Sequence, residues 1–250
     1  MKVAAVQFRP TFKDKPGNLR RLANHVVSAA KAGAKLIVLP ELCTTGYSFM
    51  SAEEARPFAE CPRWMDDEMN PETGMYVFHT LARKLGVSIV YGFVELDPGT
   101  DKLHNSQLYI DSDGYYEAYR KINPWGNDFL WAAPGRSNPP IIRSSLGVRV
   151  GLLICRDVRD KRDDKWKSFY TKGDADIVCL SANWGDGGFP AVSWMEFASD
   201  NGCAVVVANR YGQESCNNFG EGGSCVIRPD GKVFCEGLEF NRDCIVVADI

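Results

Sequence analysis

Short apolar runs alternate along the chain with stretches in which apolar residues recur every three or four positions. Residues 2–8 form the first run, rich in Val and Ala, and predict a buried strand. After Pro16 and Asn18, the positions Leu19, Leu22, Val26 and Ala30 keep helical spacing until Gly33. Residues 35–39 predict a second buried strand. Residues 74–85 predict a helix that Gly86 ends, and residues 87–94 the strand after it. Residues 103–110 and 115–119 flank the turn Asp111-Ser112-Asp113-Gly114 and predict a hairpin. Residues 141–145 and 148–154 predict another, about Leu146-Gly147.

The second half repeats the alternation. A polar helix is predicted over residues 161–172, a strand over 176–181, a helix over 191–201 and a strand over 203–208. A last hairpin, 224–228 with 232–235, turns at Pro229-Asp230-Gly231, and residues 244–248 predict a final strand. The class is α/β with inserted hairpins. No Pro/Ser-rich linker, low-complexity tract or charge block interrupts residues 1–250, so they read as a single domain. Strands outnumber helices, so some must pair antiparallel. Two sheets packed face to face, with helices outside, would bury all of these runs.

Composition narrows the partners. A chain of 250 residues buries roughly 70–75% of its unfolded surface and needs no metal or disulfide to fold. Lys and Arg number 29 against 32 Asp and Glu, a net charge of −3. Proteins that grip phosphate backbones usually carry a basic excess, so no nucleic-acid partner is expected. No apolar run approaches the roughly 20 residues that span a bilayer, so no membrane partner is expected either. The amino terminus turns polar at Gln7 and Arg9 and lacks a signal-peptide pattern, which points to the cytoplasm. The nine cysteines are odd in number, none forms Cys-x-x-Cys, and His25, His79 and His104 are scattered. Reduced thiols and no metal site are expected.

The common nucleophile and phosphate motifs are missing. There is no Gly-x-Ser-x-Gly elbow and no Walker loop, and Gly220 to Gly223 lack dinucleotide spacing. Three reactive residues nevertheless follow predicted strands: Glu41, Lys121 and Cys155. Ligands of α/β proteins gather at the carboxyl ends of strands. A carboxylate, an ammonium and a thiol in one pocket would suit acyl transfer. The thiolate attacks, the carboxylate moves the proton, and the ammonium stabilises the oxyanion. Each residue also has an ordinary reading: a turn cap, a surface lysine and a buried thiol. Spacing leaves both readings open.

Five blocks in order resolve the choice: PELCTTGY from Pro40, YRKINPW from Tyr119 with Pro134-Gly135, GLLICRD from Gly151, SANW from Ser181, and ANRYGQE from Ala208. FGEGGSCVIRPDG from Phe219 closes the series. Together they resemble the nitrilase, or carbon–nitrogen hydrolase, superfamily over nearly the whole chain. The resemblance implies a four-layer αββα sandwich and a Glu–Lys–Cys triad without a cofactor. Glu41 would be the general base, Cys155 the nucleophile and Lys121 the oxyanion cation, with the Arg156 backbone N–H as a second oxyanion donor. A homodimer is implied as well. Many members continue past the position of Ile250 into a segment that can reach across the dimer, which leaves the oligomer's stability open at this point.

The chain departs from the family pattern at two places. Many members carry a Glu seven residues after the lysine, where this chain has Asp128. Either that catalytic position is vacant, or the loop over residues 123–134 is drawn inward so that the shorter carboxylate still reaches; the second is expected. After the nucleophile, many members have an aromatic residue where this chain has Arg156. Tyr47, Asn183 and Trp184 belong to loops that the family places around the pocket. Trp125 and Trp131 follow Lys121 and suggest apolar walls. The motifs look more like those of amidases than of true nitrilases. The expected reaction is conversion of a small carboxamide to carboxylate and ammonia through a thioester. The alternatives are an N-carbamoyl amide hydrolase and a non-catalytic, metabolite-binding member of the fold.

Overall fold

The structure is a computed structural model and describes residues 1–62, 70–158, 170–185 and 188–250. In chain order its elements are β1 (Lys2–Gln7), α1 (Lys15–Lys31), β2 (Leu36–Val38), the short α2 (Ala52–Ala55), α3 (Gly74–Leu85), β3 (Ser88–Asp97), β4 (Lys102–Ile110) and β5 (Tyr116–Arg120). The short α4 (Asp128–Trp131), β6 (Ile141–Arg143), β7 (Arg149–Ile154), β8 (Ile177–Ala182), α5 (Val192–Asn201) and β9 (Ala204–Asn209) follow. The chain closes with the small pair β10 (Gln213–Glu214) and β11 (Asn217–Asn218), then β12 (Cys225–Ile227), β13 (Val233–Phe234) and β14 (Cys244–Asp249).

Two six-stranded sheets result, in the orders β14-β1-β2-β3-β4-β5 and β13-β12-β9-β8-β7-β6. At the centre of each, three strands run parallel: β1, β2 and β3 in one, β7, β8 and β9 in the other. Alternate residues of these strands face opposite ways. Val3, Ala5, Leu36 and Val38 meet Leu152, Ile154, Cys179 and Val206 in the core between the sheets. Their neighbours Ala4, Val6, Ile37 and Ile89 pack under Leu22 and Val26 of α1 and Phe78 and Ala82 of α3. On the far side, Leu153, Val178, Leu180 and Val207 pack under Trp194 and Phe197 of α5. This is a four-layer αββα sandwich. Strands covered on both faces explain why the sequence shows continuous apolar runs instead of alternation.

The helix ends follow local chemistry. Asp14 accepts from the Gly17 amide at the start of α1, and Thr73 accepts from the Tyr76 amide at the start of α3. Gly86 and Gly202 end α3 and α5 in the left-handed region. The short α2 and α4 escape a periodicity search because four residues cannot show a repeat. The helix predicted over residues 161–172 lies mostly outside the described residues, and positions 171 and 172 are not helical. Strand edges move by a few residues, as at β3, which continues to Asp97. No helix among the described residues is long and apolar enough to cross a membrane.

A buried polar chain joins the sheets below one end of the sandwich. Gln107 on β4 donates to Ser181 Oγ at 2.7 Å, and Ser181 on β8 donates to the Leu39 carbonyl at 2.7 Å. In an apolar core such bonds are worth most when satisfied, so they hold one sheet in register with the other. Glu41 lies two residues beyond Leu39, and Asn183 two beyond Ser181.

Candidate active site

Glu41 leaves β2 through a turn in which Leu42 has φ of +46°. The turn lies directly on β3 at Gly92, whose amide donates to the Pro40 carbonyl at 3.2 Å. A Cβ at Gly92 would sit 2.5 Å from Leu42 N and 2.6 Å from Glu41 Cα. Only glycine permits that approach. Lys121 leaves β5 on the same edge, and its amide donates to the Asn105 carbonyl at 2.9 Å. Strand pairing of Ser106 with Arg120 therefore sets Asn105 beside Lys121.

The side chains converge and are buried. Lys121 Nζ lies 2.6 Å from Glu41 Oε1 and 2.7 Å from Asp128 Oδ2. Asn105 Nδ2 donates to Glu41 Oε1 at 2.7 Å and to Asp128 Oδ1 at 3.0 Å. Asp128 Oδ2 also accepts the Trp125 amide at 3.0 Å. Asp128 thus opens α4 inside the protein, beside Lys121, because the loop after β5 folds inward. Glu41 Oε2 is buried and has no hydrogen-bond partner.

Cys155 follows β7 and opens a tight turn, Cys155–Asp157, with φ of +44°. That conformation is strained for a residue with a Cβ. Asp157 holds the turn: its carboxylate accepts from Tyr119 Oη at 2.8 Å, from the Asn123 amide at 3.0 Å and from the Ile154 amide at 3.3 Å. One buried carboxylate therefore ties the Cys155 turn to the loop that carries Lys121.

Burial dominates the electrostatics. It raises the Glu41 carboxyl above its ordinary value; Lys121 opposes this and Asp128 adds to it. Burial alone would lower Lys121, but Asp128 and Glu41 carry it well above the ordinary lysine value, so it stays charged. Burial also pushes the Cys155 thiol up, Glu41 reinforces this, and Lys121 and the Asn183 backbone N–H oppose it. Burial therefore favours the neutral thiol at Cys155.

A cavity of about 50 Å³ opens beside the thiol, lined by Trp125, Cys155, Arg156, Asn183, Trp184 and Gly185. Five of the residues singled out in the sequence, Trp125, Cys155, Arg156, Asn183 and Trp184, thus line it together. Tyr47 does not line it. Tyr47 is buried behind Trp125, with its hydroxyl donating to the Trp125 carbonyl. Trp131 is also set back, packed edge-on against Phe49. A larger groove of about 700 Å³ includes Glu95, His104, Arg120 and Arg136 but none of Glu41, Lys121 and Cys155. Among the described residues no group of three or more His, Cys, Asp or Glu side chains could hold a metal ion.

Three supporting residues carried no assignment in the sequence. Asn105 sits inside a strand, where a polar residue raises no signal of its own. Asn209 brackets Trp184, accepting from its amide at 2.8 Å and donating to its carbonyl at 3.0 Å. Glu214 accepts the Tyr47 and Ser48 amides at 2.7 and 2.8 Å and pairs with Arg210 at 3.0 Å. The block from Ala208 to Glu214 was the available signal for these last two.

The fold and this end of it can be compared with known proteins. The model of the carbon–nitrogen hydrolase family matches residues 2–250. A nitrilase of Pyrococcus abyssi (strain GE5 / Orsay) is 30% identical over 251 residues, covering 100% of this chain and 89% of the relative. A 2-oxoglutaramate amidase of Bacillus subtilis (strain 168) is 27% identical, covering 94% of this chain and 85% of the relative. An amidase from Nesterenkonia sp. AN1, solved with acrylamide added at its active-site cysteine, shares the fold with a TM-score of 0.79 at 22% identity. That match covers 100% of this chain and 93% of the other. From the family match and these relatives, the chain belongs to the carbon–nitrogen hydrolase family, in the amidase-like branch of the nitrilase superfamily.

Proposed function

We propose that the chain is an amidase that hydrolyses a small linear carboxamide to carboxylate and ammonia through a thioester on Cys155. The observation that carries this is the split of Glu41. Oε1 is fixed by Lys121 and Asn105, while Oε2 is buried and unpartnered. One oxygen positions the carboxylate and the other is left to take a proton, as a general base requires.

Sγ of Cys155 attacks the amide carbon as Glu41 takes the thiol proton. The tetrahedral oxyanion is stabilised by Lys121 Nζ and the Arg156 N–H. A buried, fixed cation is effective there because little solvent must reorganise. Glu41 passes the proton to the nitrogen, the C–N bond breaks, and ammonia leaves. Glu41 then deprotonates a water that attacks the thioester. The C–S bond breaks and the thiol regains its proton. Asp128 helps hold Lys121 charged and in place. Carboxylates on both sides of the ammonium keep it from acting as the proton donor.

Ammonia release over a panel of carboxamides, N-carbamoyl compounds and nitriles tests the reading, with Cys155→Ala as control. Turnover of at least one carboxamide, lost in Cys155→Ala with folding intact, is expected. Carbon dioxide released together with ammonia would shift the assignment to an N-carbamoyl amide hydrolase. No turnover of any carboxamide would support the non-catalytic alternative. Alkylation must be read with substrate protection, because Cys216 and Cys235 are the exposed thiols. Cys43 is a packing thiol that donates to the Gly92 carbonyl, and Cys43→Ser should keep activity.

A further inference from the structure

We propose that Cys225 and Cys235 form a reactive dithiol, a modification site at which a peroxide is reduced and a cross-strand disulfide closes. The site lies apart from Glu41, Lys121 and Cys155 and does not depend on the amidase reading.

Strand register brings the two cysteines together. β12 and β13 are antiparallel, with Val226 opposite Phe234 and Ile227 opposite Val233. One further step in the same register sets Cys235 opposite Cys225. The turn fixes that register. The Gly231 amide, at φ of +78°, donates to the Arg228 carbonyl at 2.9 Å, and the Arg228 amide donates to the Lys232 carbonyl at 2.9 Å. Opposed pairs of an antiparallel ladder alternate between hydrogen-bonded and non-hydrogen-bonded. Arg228 bonds Lys232, so three steps on Cys225 and Cys235 make a non-hydrogen-bonded pair. The Cα atoms of such a pair lie about 4.5 Å apart, with the side chains close. A disulfide spans roughly 4.4–6.8 Å between Cα atoms.

The pleat puts both side chains on one face. Val226 and Phe234 pack in the core between the sheets. Ile227 and Val233 pack on the opposite side, toward α5, and Cys225 packs there with them. Alternation sends Cys235 to that same side. The two sulfurs also interact: burial pushes the Cys225 thiol up, and Cys235 adds to the rise.

Exposure divides the roles. Cys235 is exposed and Cys225 is buried. A peroxide therefore meets Cys235 first. Its O–O bond breaks, an S–O bond forms on Cys235 Sγ, and one water leaves behind a sulfenic acid. Cys225 Sγ then attacks Cys235 Sγ. The S–S bond forms, the S–O bond breaks, and a second water leaves. Both sulfurs are oxidised, the peroxide is reduced, and the two thiol protons end in the two waters. Burial disfavours the Cys225 thiolate, but its fixed place opposite Cys235 makes the attack intramolecular, which offsets that cost.

The test treats the reduced protein with hydrogen peroxide, blocks remaining thiols with N-ethylmaleimide in denaturant, and maps linked peptides by mass spectrometry without reductant. A link between Cys225 and Cys235, with the loss of two hydrogens and reversal by dithiothreitol, is expected. Cys155→Ala should form the link as wild type does. Cys235→Ser, at an exposed position, should abolish it. Cys225→Ala should leave Cys235 to go on to sulfinic acid, with the over-oxidised form up at least about tenfold; Cys225→Val serves the same purpose if the alanine variant fails to fold. Cys216, the exposed thiol in the turn between β10 and β11, should over-oxidise equally in wild type and in the Cys225 variants. Wild-type protein in which Cys235 reaches sulfinic acid while Cys225 stays open to N-ethylmaleimide overturns the inference. So does a link from Cys235 to Cys244 or to any cysteine other than Cys225.

Discussion

Asn105 Nδ2 donates to Glu41 Oε1 at 2.7 Å, and this bond reaches from within β4 to the turn that follows β2. The same nitrogen also bonds Asp128, so Asn105 spaces the two carboxylates around Lys121. Its bond favours the ionised form of Glu41. Asn105→Ala should therefore raise the Glu41 pKa and move the acidic limb of the kcat profile to higher pH. A loss in kcat of at least about tenfold, or roughly 1.4 kcal/mol, is expected. Asn105→Asp should be worse, since a third carboxylate would face one ammonium. A wild-type pH profile in Asn105→Ala would remove the residue from the proton chemistry.

Gly92 sets where Glu41 stands. Its missing Cβ lets the Pro40–Leu42 backbone lie on β3, and the atoms a methyl would meet are backbone atoms that cannot rotate away. Gly92→Ala should push the Glu41 turn off the sheet. Overpacking of this kind costs about 1–3 kcal/mol, and kcat should fall further than the loss of folded protein explains. Chemical denaturation and single-turnover ammonia release, run on the same preparation, separate the two effects. Full activity per folded molecule would mean the turn has another way to close.

These two residues show where sequence reading stops. Glu41, Lys121 and Cys155 stand out because a charge or thiol directly follows an apolar run, and strand ends are where α/β proteins place ligands. The layers were legible for a related reason: doubly buried strands are continuous in their apolar character, and Gly33, Gly86 and Gly202 punctuate the helices. Asn105 and Gly92 lie within β4 and β3. Their importance comes from what crosses them in space, and no local pattern encodes that. Tyr47 and Trp131 fail differently. An aromatic near the site carries no sign of whether it faces the ligand or stands behind the residue that does. Convergence of the three reactive groups came from family resemblance, not from spacing.

Asp157 makes a stability prediction with a definite sign. Burial pushes its carboxyl up to about 6, against the hydrogen bond from Tyr119. The unfolded chain has the ordinary value of about 3.9. Between these values the folded state binds more protons than the unfolded state, so this group's contribution falls as pH rises. The favourable part is fully present below the unfolded value and is lost as pH passes about 6. Asp157→Asn removes the titration. The stability of wild type relative to Asp157→Asn should therefore drop by about 2 kcal/mol from pH 4 to pH 7. Urea midpoints of both proteins at the two pH values measure this; a difference independent of pH would place the carboxyl at its ordinary value.

Asp128 gives the sharpest contrast with Asn105. Its Oδ2 lies 2.7 Å from Lys121 Nζ and its side chain is buried, although it is one methylene shorter than the glutamate of many relatives. Its charge raises the Glu41 carboxyl, whereas Asn105 lowers it. Asp128→Asn keeps the shape and removes that charge. The Glu41 pKa should fall, and the acidic limb should move to lower pH, the direction opposite to Asn105→Ala. The ammonium would also lose one of its two anionic neighbours, so Lys121 should be held less firmly and kcat should drop at least about tenfold. Asp128→Glu should retain measurable activity, since the longer side chain can still reach Lys121 if the loop relaxes outward by about one bond length, near 1.5 Å. An Asp128→Asn enzyme with unchanged kcat and an unmoved acidic limb would show that the carboxylate is structural, and that Glu41 handles the proton without it.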